Sequence, residues 1–126
     1  MDLANFNLAA KAEAGASLTI LNPIDGTKTD LVITVAGSES ATYRNAVFAA
    51  SSEYTYKDDD DLKDKIDVID KRNGVTYAAC IMGWENMEFE GKPVEFSHES
   101  AKKILADTPW LTDQIGAFIK DRANFI

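Results

Sequence analysis

Few residues in this chain could do chemistry. Four adjacent carboxylates, Asp58 to Asp61, lie in the run KDDDDLKD, residues Lys57–Asp64. Asp58 and Asp60 have the alternate spacing of a calcium loop's first ligands. The pattern then fails, because the third ligand position is Leu62, the sixth is Lys63 where glycine is needed, and the twelfth is Ile69 where glutamate is needed. Adjacent like charges repel, so the run reads as a solvated loop or helix start that binds no specific metal. His98 and Glu99 together suggest acid–base work. No Ser or Cys nucleophile can be placed beside them, and His98 falls at an exposed helix start, so a bystander is the better reading. Cys80 lies on an apolar helical stripe and reads as a buried structural thiol. The glycines are scattered singly along the chain and form no phosphate-binding loop. No catalytic residue, metal ligand or cofactor is expected.

What remains is binding. Trp110, Leu111, Phe118 and Phe125 crowd the C-terminal end. Leu111, Ile115, Phe118 and Ile119 share one helical face, and Trp110 and Phe125 extend it. Such a face either packs as core or docks against a partner. These six residues are the candidate partner-binding set.

The elements that must hold these residues follow from periodicity. A short helix is expected over Leu3–Ala12, ended by Gly15. Ser17–Leu21 alternates, NPIDGTKTD carries a turn at Pro23 and Asp25-Gly26, and Leu31–Val35 alternates again. Ser17–Ala36 is therefore expected to be a hairpin. Gly37 ends the strand, and Ser38 or Ser40 caps a helix whose face carries Tyr43, Val47, Ala50 and Tyr54.

Leu62, Ile66, Ile69, Asn73, Tyr77, Cys80 and Trp84 keep helical spacing, which predicts one helix over Leu62–Met82. Asn73-Gly74 argues for a turn instead. A glycine inside a helix costs only about 1 kcal/mol against alanine, and the apolar register runs on, so the helix stands, with Gly74 as its weak point. Met87–Phe96 reads as two short strands about a Gly91-Lys92-Pro93 turn. Ser97 caps a helix over His98–Leu105, and Thr108-Pro109 starts the last one, Pro109–Arg122. The expected fold class is α+β: a small N-terminal β-hairpin followed by a mainly helical domain, all within one domain over residues 1–126.

Composition narrows the function classes. The 126 residues suffice for one domain with a core, and 45% hydrophobic with 27% charged residues is an ordinary globular balance. A net charge of −8 disfavours nucleic acid and anionic membrane as partners. No apolar run approaches the ~20 residues that span a bilayer, and the N-terminus lacks a secretory pattern. With one cysteine and one histidine the chain cannot form an internal disulfide and has few of the ligands zinc takes, which fits a reducing cytoplasm.

The order of motifs resembles the tail assembly chaperones of long-tailed bacteriophages. The similarity runs from Leu31 to Ile126. It rests on LVITVAGSESATYR, on AACIMGWENM closing a helix at Gly-Trp, on EGKPVEFSHESAKKIL, and on PWLTDQIGAFIKDRANFI. The last two are the more specific. The resemblance implies a non-enzymatic factor of the host cytoplasm. Such a factor binds the tape measure protein, keeps that long helical chain soluble, helps recruit tail tube protein, and leaves before the virion is complete. Several copies would be needed along one long client, so a homo-oligomer is a further expected partner. In many such genes ribosomal frameshifting yields a longer product as well, and a chain ending at Ile126 looks like the shorter one. The alternative is a structural virion component, a tail tube or connector subunit, whose hairpin joins an inter-subunit sheet. A small enzyme is disfavoured because no catalytic constellation is legible.

Overall fold

Alternation in the N-terminal third builds the sheet that the helices cover. Strands β1 (Ala16–Leu21) and β2 (Lys28–Val35) form the expected antiparallel hairpin, with Leu18 opposite Ile33 and Ala16 opposite Val35. Leu18, Ile20, Ile33 and Val35 are buried. Ser17 and Thr34 lie on the other face, and their hydroxyls share a hydrogen bond of 2.8 Å. The computed structural model describes every residue, Met1–Ile126.

A third strand corrects the sequence reading. The long middle helix ends at Cys80, not Met82, and Ile81–Glu85 becomes strand β3, antiparallel to β2 in the order β1-β2-β3. A two-stranded hairpin would leave the second edge of β2 with unpaired N–H and C=O groups. Pairing Ile81 with Val35 and Trp84 with Ile33 satisfies that edge and buries Ile81. Trp84 stands four residues after Cys80, so helical spacing alone could not separate the strand from the helix before it.

Five helices complete the fold. They are α1 (Leu8–Ala14), α2 (Ala41–Glu53), α3 (Leu62–Cys80), α4 (His98–Asp107) and α5 (Pro109–Lys120). The expected helix over Leu3–Ala12 is split into a 3₁₀ turn, Leu3–Phe6, and α1, because Asn7 accepts a bond from the Ala10 N–H and starts a new helix. α3 runs unbroken through Asn73-Gly74. One glycine's penalty is small beside the burial of Tyr77, Ala78 and Cys80 on the following turns. Of the two serines proposed as cap, Ser40 does the work: its Oγ accepts from the Tyr43 N–H at 3.0 Å and donates to the Gly37 carbonyl at 2.6 Å.

The small hairpin after β3 joins β4 (Glu88–Phe89) to β5 (Lys92–Pro93). Its turn is Glu90-Gly91, one residue earlier than expected. Both residues have positive φ, 51° and 77°, as a two-residue type I′ turn demands. Ser97 and Ser100 then cap α4 reciprocally. Thr108 precedes α5 without a side-chain cap bond; Thr112 Oγ1 holds the corner by donating to the Leu105 carbonyl at 2.7 Å.

The core is one cluster. Tyr77, Ala78 and Cys80 of α3, Ala101 and Leu105 of α4, and Leu111, Ile115 and Ile119 of α5 pack with the inner sheet residues. Gln114 straps α5 to the outer edge of β1, accepting from the Leu21 N–H at 3.0 Å and donating to the Leu21 carbonyl at 2.8 Å.

Candidate interaction surfaces

The C-terminal stripe divides between core and surface. Leu111, Ile115, Ile119 and Phe125 are buried within the chain. Phe118 is half-buried and meets Phe125 edge-on, with ring centres 5.7 Å apart. Phe125 reaches the core because the chain turns back after α5. A 3₁₀ turn, Arg122–Phe125, is capped by Asp121, while Asn124 Nδ2 donates to the Phe118 carbonyl and Arg122 pairs with Glu39 at 2.5 Å. Gly37 makes room for the ring, since a Cβ there would lie 2.8 Å from Phe125. The physical reason is coverage: the three-stranded sheet has one buried face, and the stripe of α5 helps to cover it. Of the six candidates, only Trp110, 41% exposed, stands on the surface.

A second aromatic group forms at the joint between sheet and helices. Trp84 Nε1 donates to the Val94 carbonyl at 2.8 Å, and its ring meets Phe96 edge-on at 5.0 Å. Phe96 in turn meets His98 at 5.3 Å. His98 thus serves as the end of an aromatic stack at the α4 N-terminus. Trp84, Met87, Val94 and Phe96 line a shallow groove beneath the β4–β5 hairpin.

The third surface is the arm made by α2, the Tyr54–Asp61 loop and the first half of α3. α2 buries only Ala50, and its Phe48 is 77% exposed. Along α3, every buried residue lies at Thr76 or later. Leu62, Ile66 and Ile69, spaced i, i+4, i+7, are 74%, 46% and 43% exposed and stand apart from the core. The continuous stripe expected from the sequence is thus real in register but buried only in its second half. The signal was available: the charge run abuts the exposed half, and a face ringed by carboxylates is rarely core.

Two of the arm's cations bind its own loop. Lys65 Nζ donates to the Asp58 carbonyl at 2.7 Å and lies 5.8 Å from the Tyr56 ring centre. Arg72 Nε donates to the Tyr54 carbonyl at 2.7 Å, with its guanidinium 5.3 Å from the same ring. Asp60 accepts from the Lys57 N–H. None of the carboxylates from Asp58 to Asp70 makes an ion pair; the single salt bridge is Arg122–Glu39.

Metal-ligating groups do not converge. No three His, Cys, Asp or Glu side chains come together in a geometry that could hold a metal ion. Cys80 is fully buried, and burial pushes its thiol up to about 12, with the Glu13 carboxylate adding to the effect. Glu13 binds the first turn of α2 through the Thr42 hydroxyl and N–H, which hold its carboxyl below the usual range. No helix is long and apolar enough to cross a membrane. No protein-family model matches the chain, and no curated protein or solved structure matches it.

Proposed function

We propose that this chain is a tail assembly chaperone of a long-tailed phage, acting without catalysis in the host cytoplasm. It binds the tape measure protein, keeps that long helical client soluble and promotes assembly of the tail tube around it. The whole chain acts as one chaperone domain. The motif order from Leu31 to Ile126 supports the reading. The observation that carries it is the arm: Leu62, Ile66, Ile69 and Phe48 are apolar, helical and uncovered on an otherwise acidic protein. A helical client with exposed apolar faces aggregates, and reversible burial against such an arm prevents that, while a net charge of −8 keeps the complex dispersed.

Co-expression with the tape measure protein of the same genome, followed by pull-down, tests the reading. A soluble complex that forms only when both chains are present is expected. A tape measure protein that stays insoluble and does not co-purify would overturn it. The chain should also be lost from purified particles; retention there would favour a tail tube or connector subunit instead.

A further inference from the structure

Asn73 is the only asparagine of the chain that is followed by glycine. In an open chain an Asn-Gly pair is chemically unstable. The glycine amide nitrogen, once base has taken its proton, attacks the asparagine side-chain carbonyl carbon. A C–N bond forms, the side-chain nitrogen leaves as ammonia, and a five-membered succinimide ring remains. Water then opens the ring at either carbonyl and leaves an aspartyl or an isoaspartyl residue. Glycine favours the attack because no Cβ shields its nitrogen.

The helix holds this reaction off. Both residues lie inside α3. A helical ψ, near about −42°, keeps the Gly74 nitrogen out of line with the Asn73 side-chain carbon. The Gly74 N–H is also spent on the Asp70 carbonyl, as the helical pattern requires. Crowding adds no protection, since nothing stands within 4 Å of a Cβ built at Gly74. The guard is weak on one side. No residue from Leu62 to Val75 is buried, and the first buried residue of α3 is Thr76. Unwinding from the Leu62 end as far as Gly74 therefore moves no buried residue of α3. It breaks the Lys65 bond to the Asp58 carbonyl, the Arg72 bond to the Tyr54 carbonyl and the outer contacts with α2.

We propose that Asn73 is a deamidation site gated by the first half of α3. The site is closed while the helix reaches back to Leu62, and it reacts in molecules whose arm has unwound. The isoaspartyl product carries the main chain through the former side chain and adds a methylene to it, so the regular hydrogen bonds of α3 cannot cross that position. The arm is then uncoupled from the core just before burial begins. The site is a slow, one-way switch on the arm, whatever the arm binds.

The test holds the full chain under native conditions at mildly alkaline pH, and mass spectrometry follows the amide-to-acid mass gain at Asn73. A peptide spanning Val68–Ala78, too short to keep a helix by itself, gives the ungated rate. The folded chain should react measurably, but about tenfold or more below that rate. Gly74→Ala should suppress the product in both, which fixes the site. Asp67→Gly and Asp67→Ala change an exposed side chain away from the reacting atoms. Their rates should differ by about fivefold, the glycine variant being faster, because helix propensity sets how often the arm opens. Ile115→Val weakens the core outside the arm. It should lower the urea midpoint and leave the Asn73 rate unchanged. Reaction of the folded chain at the peptide's rate would overturn the proposal, because the helix would then guard nothing. Equal rates in the two Asp67 variants would overturn it, as would acceleration by Ile115→Val, which would make the opening global. An unmodified folded chain after full conversion of the peptide would do the same. In the isolated isoaspartyl product, hydrogen-exchange protection should be lost over Ile66–Asp70 and kept over Thr76–Cys80; protection kept over both would refute the switch.

Discussion

Trp84 shows how one side chain ties two elements. Its ring packs on the core and on Phe96, while its indole N–H is bound to the Val94 carbonyl across the groove. Trp84→Phe keeps a ring but leaves that carbonyl without its donor. It should cost about 1 kcal/mol, the usual net worth of such a bond. Trp84→Ala also empties the half-buried site and should cost about 2–4 kcal/mol, near the lower end of aromatic truncations. Urea unfolding measures both. If stability is unchanged while client solubility falls, the ring is a recognition residue.

Cys80 gives a pH signature. The folded chain holds the thiol proton far more tightly than the unfolded chain, where thiols ionise near about 8.5. Below that value both states are protonated and the full stability is present. Between it and about 12 only the unfolded state releases the proton, so stability falls as pH rises, by up to about 1.4 kcal/mol per unit. Cys80→Ala should lack this component of the slope. Parallel alkaline slopes for the two proteins would refute the assignment.

At the scale of elements, two identical substitutions should have opposite signs. Both Gly74 in α3 and Gly116 in α5 are inside helices. Gly74 has nothing within 4 Å of a would-be Cβ, so Gly74→Ala should gain up to about 1 kcal/mol from helix propensity. At Gly116 the same Cβ would stand 2.5 Å from the Tyr77 ring, which is buried and cannot swing clear. Overpacking of about 1–3 kcal/mol then outweighs the propensity gain, and Gly116→Ala should lower the unfolding midpoint. A rise at both positions would mean that α3 and α5 are further apart than described.

The same elements show what was legible in the sequence. Alternation identified β1 and β2, the Ser97 cap located the start of α4 and Pro109 that of α5, because those signals are local. The helix-to-strand change at Cys80–Ile81 was hidden, because its cause is the unpaired edge of β2, dozens of residues earlier. The C-terminal stripe was legible as apolar. That most of it is core follows from the turn after α5 and from Gly37, which no local pattern reports. The exposed arm was half legible: its register was plain, and its carboxylates were read only as solvated charge.

At the scale of the molecule, stability is unevenly distributed, and the distribution matters for function. The core gathers the sheet, the second half of α3, α4 and α5. No residue from Leu62 to Asp70 is buried. That arm is held by helix hydrogen bonds, by the Lys65 and Arg72 contacts to its loop, and by α2. Segments with few buried apolar contacts open locally at a fraction of the global free energy. A gap of about 3 kcal/mol between arm and core corresponds to roughly a hundredfold in exchange rate. Native-state hydrogen exchange should therefore find the Ile66–Asp70 amides at least that much less protected than those of Thr76–Cys80, although both belong to one continuous helix. Uniform protection along α3 would sink this picture. If the arm is the client site, adding the client should raise protection at Ile66–Asp70 and leave Thr76–Cys80 as it was, because the partner supplies the burial that the arm lacks and the core already has.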